Sequence, residues 1–261
     1  MNHKSVEYKL VILLSGGLDS SVAYHYAIKE KGYQPEDILC LWFDINQPYN
    51  KKEKDSLDKI GVPYKTISMD LIREEFNNIP TPDFPNQIIP GRNLIFATIA
   101  ASFGERIWLM ALDGETHLQT IERDKSTKFF EDTTNILTYI FNVKREKTII
   151  ESPFLHLSKT DVVKWAKENV GEDFIKATST CYDENMHNCG KCSTCFKRWL
   201  AMKNNDIEEI YNANPWESND AKELIEKYKK AYSTQDFSHY TKKRIEETFN
   251  ALKKEGVEIE Y

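Results

Sequence analysis

Apolar runs alternate with amphipathic segments through the first 155 residues of the chain. Short runs rich in Val, Ile, Leu and aromatic residues predict five strands, at 9–14, 38–44, 64–68, 107–112 and 148–151. Between them, apolar residues recur at helical spacing and predict helices at 20–31, 51–60, 93–105 and 127–141. This alternation is typical of a parallel sheet covered by helices on both faces, so the pattern predicts an α/β fold with a doubly wound, Rossmann-like sheet.

Two segments carry local signals for a loop and for a helix start. Residues 79–90 carry four prolines and predict an extended loop. The run from Ser158 to Asp161 resembles a capping box, which predicts a helix that extends to about Asn169.

The pattern changes after Gly171, where a cysteine-rich and then basic segment is followed by a highly charged helical tail. Three apolar residues of the tail recur at i, i+4 and i+7 and predict one buried helical face: Ile245, Phe249 and Leu252. The tail is expected to pack on the main domain. The chain is therefore predicted to have three units, a main domain at 1–170, a metal-binding segment at 171–203 and a helical extension at 204–261.

The first predicted strand runs directly into a glycine turn and then a helix. This turn, Ser15-Gly16-Gly17-Leu18-Asp19-Ser20, is called the glycine loop below. Unpaired N–H groups and the positive end of the helix dipole favour an anion at such a helix N-terminus. Glycine lets a phosphate approach the backbone closely, and the hydroxyls of Ser15, Ser20 and Ser21 add donors. The expected guest is a phosphate or pyrophosphate.

The glycine loop differs from the commoner phosphate-binding loops. It lacks the lysine of the G-x-x-x-x-G-K-[ST] motif of P-loop NTPases, and it lacks the G-x-G-x-x-G fingerprint of dinucleotide-binding folds. A plain glycine turn with serine caps is the alternative interpretation.

Four of the five cysteines form a C-x7-C-x2-C-x2-C array: Cys181, Cys189, Cys192 and Cys195. Four thiolates fill the tetrahedral shell of a structural zinc, and the short spacings favour this interpretation. Three of them could instead hold an iron–sulfur cluster, and unbridged buried thiols are the third interpretation. His187 could replace one ligand, Cys40 is expected in the core, and Lys197 and Arg198 are expected to offset the charge of a zinc tetrathiolate.

Composition and charge argue against some classes of binding partner. The 261 residues carry a formal net charge of −6 with a pI of about 5.6, so no overall field draws the protein to nucleic acid or to an anionic membrane. We find no apolar run of 18 residues and no apolar signal region at the start. We therefore expect a soluble, cytoplasmic protein without a membrane or nucleic-acid partner, with one core and a small appendage.

The glycine loop combined with the late cysteine array resembles the 7-cyano-7-deazaguanine synthase family of the queuosine pathway, in the ATP pyrophosphatase superfamily. Further segments agree: Pro90-Gly91-Arg92-Asn93 before a small-residue helix, the cysteine segment from Thr178 to Arg198, and Pro153 followed by Ser158-Lys159-Thr160-Asp161. The resemblance covers about residues 9–203. It implies a nucleotide-binding domain of the adenine nucleotide alpha hydrolase type, followed by a zinc knuckle, and the last 58 residues extend beyond it.

The resemblance also implies an activity. Such an enzyme is an ATP-dependent carbon–nitrogen ligase that transfers AMP from ATP to the carboxylate of 7-carboxy-7-deazaguanine. Ammonia then gives an amide, and a second ATP drives dehydration to the nitrile. The expected bound groups are ATP, Mg²⁺ and a structural Zn²⁺, the expected partners are the deazaguanine and ammonia, and a homodimer is left open.

Roles for individual residues follow from the same resemblance. The implied ATP-binding residues are Leu14, Ser15, Gly16, Gly17, Leu18, Asp19, Ser20 and Ser21, with Asp19 near Mg²⁺. The implied catalytic residues are Ser15, Asp19, Ser20, Arg92 and Lys159. Of these, Arg92 and Lys159 would neutralise phosphate charge, although Arg92 could instead be a surface cap and Lys159 a solvated first-turn residue. The implied substrate residues are Asn93, Asp113, Asp124 and Phe129, and the metal ligands are the four clustered cysteines.

The chain departs from the family pattern on its substrate side. Residues 43–49 replace a Y-G-Q-[RQ]-H stretch, and the Cys-Arg pair of the substrate segment is missing from 113–129. These changes favour an alternative in which the activated deazaguanine is conjugated to an amine on a protein or another macromolecule. Two further alternatives are tRNA thiolation, which the acidic pI argues against, and a non-catalytic binding module, which the intact glycine loop argues against.

Overall fold

The computed structural model describes residues 7–46, 50–69, 91–113, 115, 123–183 and 187–259. Within these ranges a parallel sheet of five strands has the order β3-β2-β1-β4-β5. The strands are β1 Leu10–Leu14, β2 Ile38–Asp44, β3 Lys65–Ser68, β4 Arg106–Trp108 and β5 Ile149–Glu151. The strand order reverses beside β1, so the loop after β1 opens at the switch point where such sheets bind ligands.

The described residues form nine α-helices. They are α1 Leu18–Lys29, α2 Asn50–Ile60, α3 Arg92–Ala100, α4 Thr127–Phe141, α5 Lys159–Asn169, α6 Glu172–Ala177, α7 Ser193–Asn204, α8 Asn219–Ser233 and α9 Lys242–Lys254. A membrane-spanning helix, which needs both length and apolar character, is not found in the described part of the chain.

Strand β1 is buried along its whole length and divides the core into two layers. Because successive side chains of a strand point to opposite faces, Leu10, Ile12 and Leu14 pack with α1 and α5, whereas Val11 and Leu13 pack with α3 and α4. Burying each such side chain contributes about 1.5–3 kcal/mol. Helices thus cover both faces of the sheet, and the predicted doubly wound α/β fold is confirmed.

Strand β4 is shorter than predicted, because it ends at Trp108 rather than near Leu112. The following residues stay buried, but a side chain takes over the hydrogen bonding of the backbone. The Ser152 hydroxyl accepts from the Ala111 N–H at 3.0 Å and donates to the Ala111 carbonyl oxygen at 2.8 Å. The apolar run therefore continues the core without continuing the sheet.

The predicted capping box opens α5. The Ser158 hydroxyl accepts from the Asp161 N–H, and the Asp161 carboxylate accepts in turn from the Ser158 N–H. The helix ends at Asn169, as expected. The proline-rich segment 79–90 lies outside the described residues.

The C-terminal extension packs through the predicted apolar face of α9. Ile245 and Phe249 cluster with the buried Tyr228 of α8, while Leu252 packs against Trp199 of α7. The packing follows from the helical spacing of these residues, which places them on one side of α9. The division into units at 1–170, 171–203 and 204–261 stays a prediction.

Candidate active site and cysteine cluster

The glycine loop connects the carboxyl end of β1 to the N-terminus of α1. Gly16 has a φ of +66°, and a Cβ built there would lie 2.7 Å from the Glu53 carbonyl oxygen, so the position requires glycine on both counts. Gly17 is the N-cap of α1 and offers no capping side chain. The first-turn N–H groups of α1 are therefore directed at a potential anion rather than at a serine cap.

Two serines close the glycine loop on itself. The Ser15 and Ser20 hydroxyls lie 3.0 Å apart, and the Ser20 hydroxyl also accepts from the Ser15 N–H at 3.1 Å. The Ser15 hydroxyl in turn accepts from the Gly17 N–H at 3.4 Å. Both hydroxyls line the cavity beside the loop, where they can also donate to a bound phosphate.

Asp19 and Lys159 form an ion pair across the mouth of this loop. The Lys159 Nζ lies 2.9 and 2.7 Å from the two carboxylate oxygens of Asp19. Lys159 is the first residue of α5, so the Ser158 cap fixes where its side chain starts. Both side chains are about one-fifth exposed, which leaves them open to a ligand. The pair thus brings together two residues that are 140 positions apart in the sequence.

A cavity of about 310 Å³ lies at the carboxyl edge of the sheet, beside the glycine loop. Its volume is at the lower end of the range for small-molecule sites. Its walls come from the ends of β1 and β2, the start of α3 and the segment before α7. The charged residues that line it are Asp19, Lys52, Glu53, Arg92, Glu115, Lys125, Lys159 and Lys197. Five of these side chains are cationic and three are carboxylates, so the net positive charge of the cavity favours the binding of a polyphosphate.

Most of the predicted ATP-binding residues line this cavity: Leu14, Ser15, Gly17, Leu18, Asp19 and Ser20. Gly16 and Ser21 belong to the same turn but are not among its described lining residues. Ser21 is fully buried beneath the loop.

The predicted catalytic residue Arg92 lines the cavity together with Asn93, both at the N-terminus of α3. The other three predicted substrate residues lie elsewhere in the described structure. Asp113 lines a smaller neighbouring pocket, while Asp124 and Phe129 line neither cavity. Asp124 is linked to the site through its backbone, since its carbonyl oxygen accepts from the Asn93 side chain at 3.5 Å.

Glu115 and Lys125 are cavity residues that the sequence interpretation missed. Their side chains form an ion pair with a 3.4 Å separation, and the Glu115 carboxylate also accepts from the Leu112 N–H at 3.2 Å. Burial alone would raise the pKa of Glu115, but the positive charges of Lys125, Lys197 and Lys159 lower it to about 2. Glu115 is therefore ionised at neutral pH and sits among three lysines.

The four clustered cysteines lie together, with all four Sγ atoms within 4.8 Å of one another. Cys189 and Cys195 have their Sγ atoms 3.8 Å apart, which is about the edge of a tetrahedron built from metal–sulfur bonds of ~2.3 Å. Backbone N–H groups also donate to sulfur, from Asp183 to Cys181 and from Lys191 to Cys189. This donor set fits a tetrahedral structural metal and leaves no ligand position open.

The remaining metal candidates are placed differently. His187 is not part of the cysteine group, and its ring nitrogen faces the Lys176 carbonyl oxygen at 3.4 Å. Cys40 is buried in β2, where burial raises the pKa of its thiol and keeps it protonated.

Arg198 has a structural partner that the sequence interpretation missed. Its fully buried guanidinium forms a bidentate ion pair with Glu209, with a shortest distance of 2.7 Å. It also donates to the Thr178 hydroxyl and to the Ile175 carbonyl oxygen, each at 2.8 Å. The sequence interpretation expected Arg198 to offset the negative charge of the cysteine sulfurs. In the structure, the ion-pair partner of Arg198 is Glu209.

The cysteine segment is tied directly to the glycine loop. The Ser179 N–H donates to the Gly16 carbonyl oxygen at 3.0 Å, and the Ser56 hydroxyl donates to the same oxygen at 2.9 Å. Ser179, Thr180 and Cys181 also line the cavity. A metal bound at the cysteines would therefore order one wall of the cavity.

The chain is similar to one solved structure and to several curated sequences. Among solved structures, the U34-tRNA thiolase NcsA from Methanococcus maripaludis, with its [4Fe-4S] cluster, matches with a TM-score of 0.43 and 11% identity, over 99% of this chain and 77% of that chain. Among curated sequences, the 7-cyano-7-deazaguanine synthase of Campylobacter hominis is 32% identical over 228 residues, covering 77% of this chain and 97% of the relative. The 7-cyano-7-deazaguanine synthase 2 of Colwellia psychrerythraea is 26% identical over 223 residues, covering 77% of this chain and 96% of the relative.

The matches confirm the resemblance seen in the glycine loop and the cysteine array. Helices α8 and α9 both begin after the matched family segment has ended. Residues 9–206, about three-quarters of the chain, match the family described as "Queuosine biosynthesis protein QueC", and the chain therefore belongs to that family.

Proposed function

We propose that the protein is an ATP-dependent ligase that activates the carboxylate of 7-carboxy-7-deazaguanine and converts it with ammonia to 7-cyano-7-deazaguanine. The observation that carries this proposal is the glycine loop at the N-terminus of α1 with the Asp19–Lys159 pair beside it, both on one cavity. The names of the curated relatives support the choice of substrate.

The proposed reaction has two activation steps. A carboxylate oxygen attacks the α-phosphorus of ATP, pyrophosphate leaves, and an acyl-adenylate forms. Ammonia attacks the acyl carbon, the carbon–oxygen bond to AMP breaks, and the amide forms with loss of one proton. The amide oxygen then attacks the α-phosphorus of a second ATP, and pyrophosphate leaves. The amide nitrogen loses its two protons as the carbon–nitrogen triple bond forms, and the oxygen leaves with AMP.

The cavity offers groups that could serve these steps. In this proposal the N–H groups at the start of α1 and the Ser15 and Ser20 hydroxyls bind the departing pyrophosphate, which the position of the loop beside the cavity supports. Lys159 and Arg92, which both line the cavity, would stabilise the charge that grows on the phosphates. Asp19 would hold Mg²⁺, because hard divalent cations prefer carboxylate oxygens next to phosphates.

We also propose that the cysteine cluster holds a structural zinc. Four thiolates in a closed tetrahedral set favour zinc over a catalytic metal, which needs an open position. When bound, the metal supplies folding free energy and holds residues 179–181 against the glycine loop.

The test combines the purified protein with ATP, Mg²⁺, 7-carboxy-7-deazaguanine and ammonium chloride, and follows products by mass spectrometry. We expect the nitrile, with AMP and pyrophosphate released in step with it. Isotope exchange between ATP and pyrophosphate that depends on the carboxylate substrate would locate the first step. Absence of this exchange would contradict the adenylation proposal and favour a non-catalytic binding module.

A second candidate is conjugation of the activated deazaguanine to an amine on a macromolecule. It is favoured by the displacement of Asp124 and Phe129 from the cavity and by the missing Cys-Arg pair in their segment. In the same assay, this candidate predicts substrate-dependent pyrophosphate exchange, but little free nitrile and a deazaguanine adduct on an added protein. Complete conversion to free nitrile would rule it out.

A further inference from the structure

A side pocket of about 60 Å³ lies next to the main cavity, under the C-terminal extension. The extension contributes Leu224, Tyr228, Thr241, Arg244 and Glu247 to its walls. The other walls come from the start of α5, from α7 and from Leu112, Asp113 and Glu115. Helices α8 and α9 form one side of the pocket, and both helices lie outside the matched family segment.

The side pocket shares three side chains with the main cavity: Glu115, Lys159 and Lys197. One of them, Lys159, binds Asp19 on the side of the glycine loop. A molecule in the side pocket is therefore separated from the proposed adenylate by single side chains rather than by a packed core. The pocket is suitably placed to deliver a second reactant.

Tyr228 indicates that the side pocket is built for a polar guest. Its side chain is fully buried and lines the pocket, and its hydroxyl makes no hydrogen bond of standard geometry among the described residues, although the Arg244 side chain interacts with it. The Arg244 guanidinium lies 5.9 Å from the ring centroid, over the face of the ring. A buried hydroxyl without a well-formed hydrogen bond costs about 1–3 kcal/mol, which a bound polar molecule would recover.

Glu247 supplies a carboxylate at the opposite wall. It accepts from the Ser158 hydroxyl at 2.6 Å, and burial raises its pKa while the Ser158 and Thr160 hydroxyls and Lys243 lower it. Lys243, one turn before Glu247 on α9, pairs with Asp161, and neither of these two residues lines the pocket. A largely buried carboxylate of this kind can bind a cationic nitrogen or accept a proton from it.

Size restricts the guest. A water-sized molecule occupies roughly 10–15 Å³ by this measure, so 60 Å³ holds only a handful of such molecules. A deazaguanine ring or a nucleotide is excluded, whereas ammonia fits. The charges that line the pocket balance, since it holds three cations and three carboxylates: Lys159, Lys197, Arg244, Asp113, Glu115 and Glu247. Ammonium can therefore enter the pocket and lose a proton to a carboxylate there.

We propose that this side pocket is the binding site for ammonia, and that the C-terminal extension supplies Tyr228 and Glu247 as its polar contacts; the inference rests on the proposed ligase function. Ammonium entering the pocket gives one proton to Glu247. The nitrogen lone pair then forms the bond to the acyl carbon, AMP leaves with the electrons of the carbon–oxygen bond, and the second proton passes to water. Glu247 returns its proton to solvent for the next cycle.

The test measures initial rates with the full chain, saturating ATP, Mg²⁺ and 7-carboxy-7-deazaguanine while ammonium chloride is varied. For Glu247→Gln we expect the KM for ammonium to rise about tenfold or more, with the KM for ATP changed less than about twofold. Tyr228→Phe keeps the ring packing and should raise the ammonium KM about threefold. Glu246→Gln is the matched control, since Glu246 lies on the same helix, is partly exposed and should change neither constant.

The readouts separate ligand binding from a structural role. Glu247 also bonds the cap of α5, so a merely structural effect would disturb Lys159 and raise the KM for ATP as well. If the KM for ammonium is unchanged in both Glu247→Gln and Tyr228→Phe, the side pocket does not bind ammonia, and the ligase proposal is unaffected. A bulky amine such as tryptamine used as efficiently as ammonium would also overturn the ammonia pocket, because that amine exceeds the pocket. A wild-type protein without substrate-dependent pyrophosphate release would contradict the ligase function, and the ammonia pocket with it.

Discussion

The glycine loop and the acceptor side of the cavity are assembled in different ways. The glycine loop is one contiguous run, held between β1 and α1, whose backbone makes most of the contacts a phosphate needs. The proposed acceptor side collects Asn93, Glu115 and Lys197 from the cavity and Glu247 from the side pocket, and these residues come from elements that are far apart in the sequence. A sequence motif therefore identifies the glycine loop directly, whereas the residues of the proposed acceptor side are identified only from the tertiary structure.

This difference separates activation chemistry from the choice of acceptor. Backbone N–H groups at a helix N-terminus bind a phosphate regardless of what carries it, so the loop can be kept while the acceptor walls change. In this chain the acceptor walls include a C-terminal extension that begins after the matched family segment. Four changes would break or sharpen the comparison, and the cysteine cluster is the first because it joins the two sides.

Cys192→Ser should have the largest effect, because it removes one of four metal ligands. We expect loss of bound zinc and a fall in the free energy of unfolding of at least about 4 kcal/mol, since structural zinc supplies folding free energy. Metal content by mass spectrometry and denaturant unfolding would check this. Cys40→Ser is the control, because Cys40 lies in the core away from the cluster and its loss should leave the metal in place. A stable, metal-free Cys192→Ser protein would contradict a structural metal.

Asp19→Ala should come next, and it tests the activation side because Asp19 lines the main cavity and not the side pocket. Loss of the carboxylate leaves Lys159 without its partner and removes the proposed Mg²⁺ ligand. We expect the rate of pyrophosphate release to fall about 10²–10³-fold, or ~3–4 kcal/mol, which is the usual scale for one electrostatic group in an active site.

The matched control for Asp19→Ala is Asp37→Ala. Asp37 pairs at 2.8 Å with Lys9, whose side chain is largely exposed; the Asp37 side chain is about as exposed as that of Asp19, but it does not line the cavity. It should change neither pyrophosphate release nor the melting temperature appreciably, because exposed ion pairs contribute little. Equal loss of activity in both variants would mean that Asp19 has no special role.

Gly16→Ala tests the backbone requirement of the glycine loop. Both a positive φ and a 2.7 Å approach to the Glu53 carbonyl oxygen oppose a Cβ there. Gly32→Ala is a close control, with φ +73° and nothing within 4 Å of its Cβ. We expect a loss of about 1–2 kcal/mol for Gly32→Ala from backbone strain alone, and a clearly larger loss for Gly16→Ala. Equal losses by thermal unfolding would show that the close contact relaxes freely.

The sequence predicted features whose residues are neighbours or follow a period. The strand and loop from Leu10 to Ser20, the cysteine cluster and the apolar face of α9 are of this kind. It did not predict Glu115 or Tyr228, because a single glutamate or tyrosine has no pattern until distant elements surround it. The end of β4 was also wrong, since the hydroxyl of Ser152 replaces the ladder there and leaves no mark on the local apolar run.

Asp124→Asn should have the smallest effect. It tests whether Asp124 contacts the substrate, as the family resemblance implies. The Asp124 side chain does not line either cavity, and its contact with Asn93 is made by its carbonyl oxygen, which the substitution keeps. We expect kcat/KM for 7-carboxy-7-deazaguanine to change less than about twofold, or ~0.4 kcal/mol. Asn93→Ala is the comparison, because Asn93 lines the main cavity and its loss should raise the KM for the deazaguanine about tenfold. A large loss in Asp124→Asn with little change in Asn93→Ala would restore the substrate segment implied by the family resemblance. The substrate residues would then be identifiable from a sequence motif, as the residues of the glycine loop are.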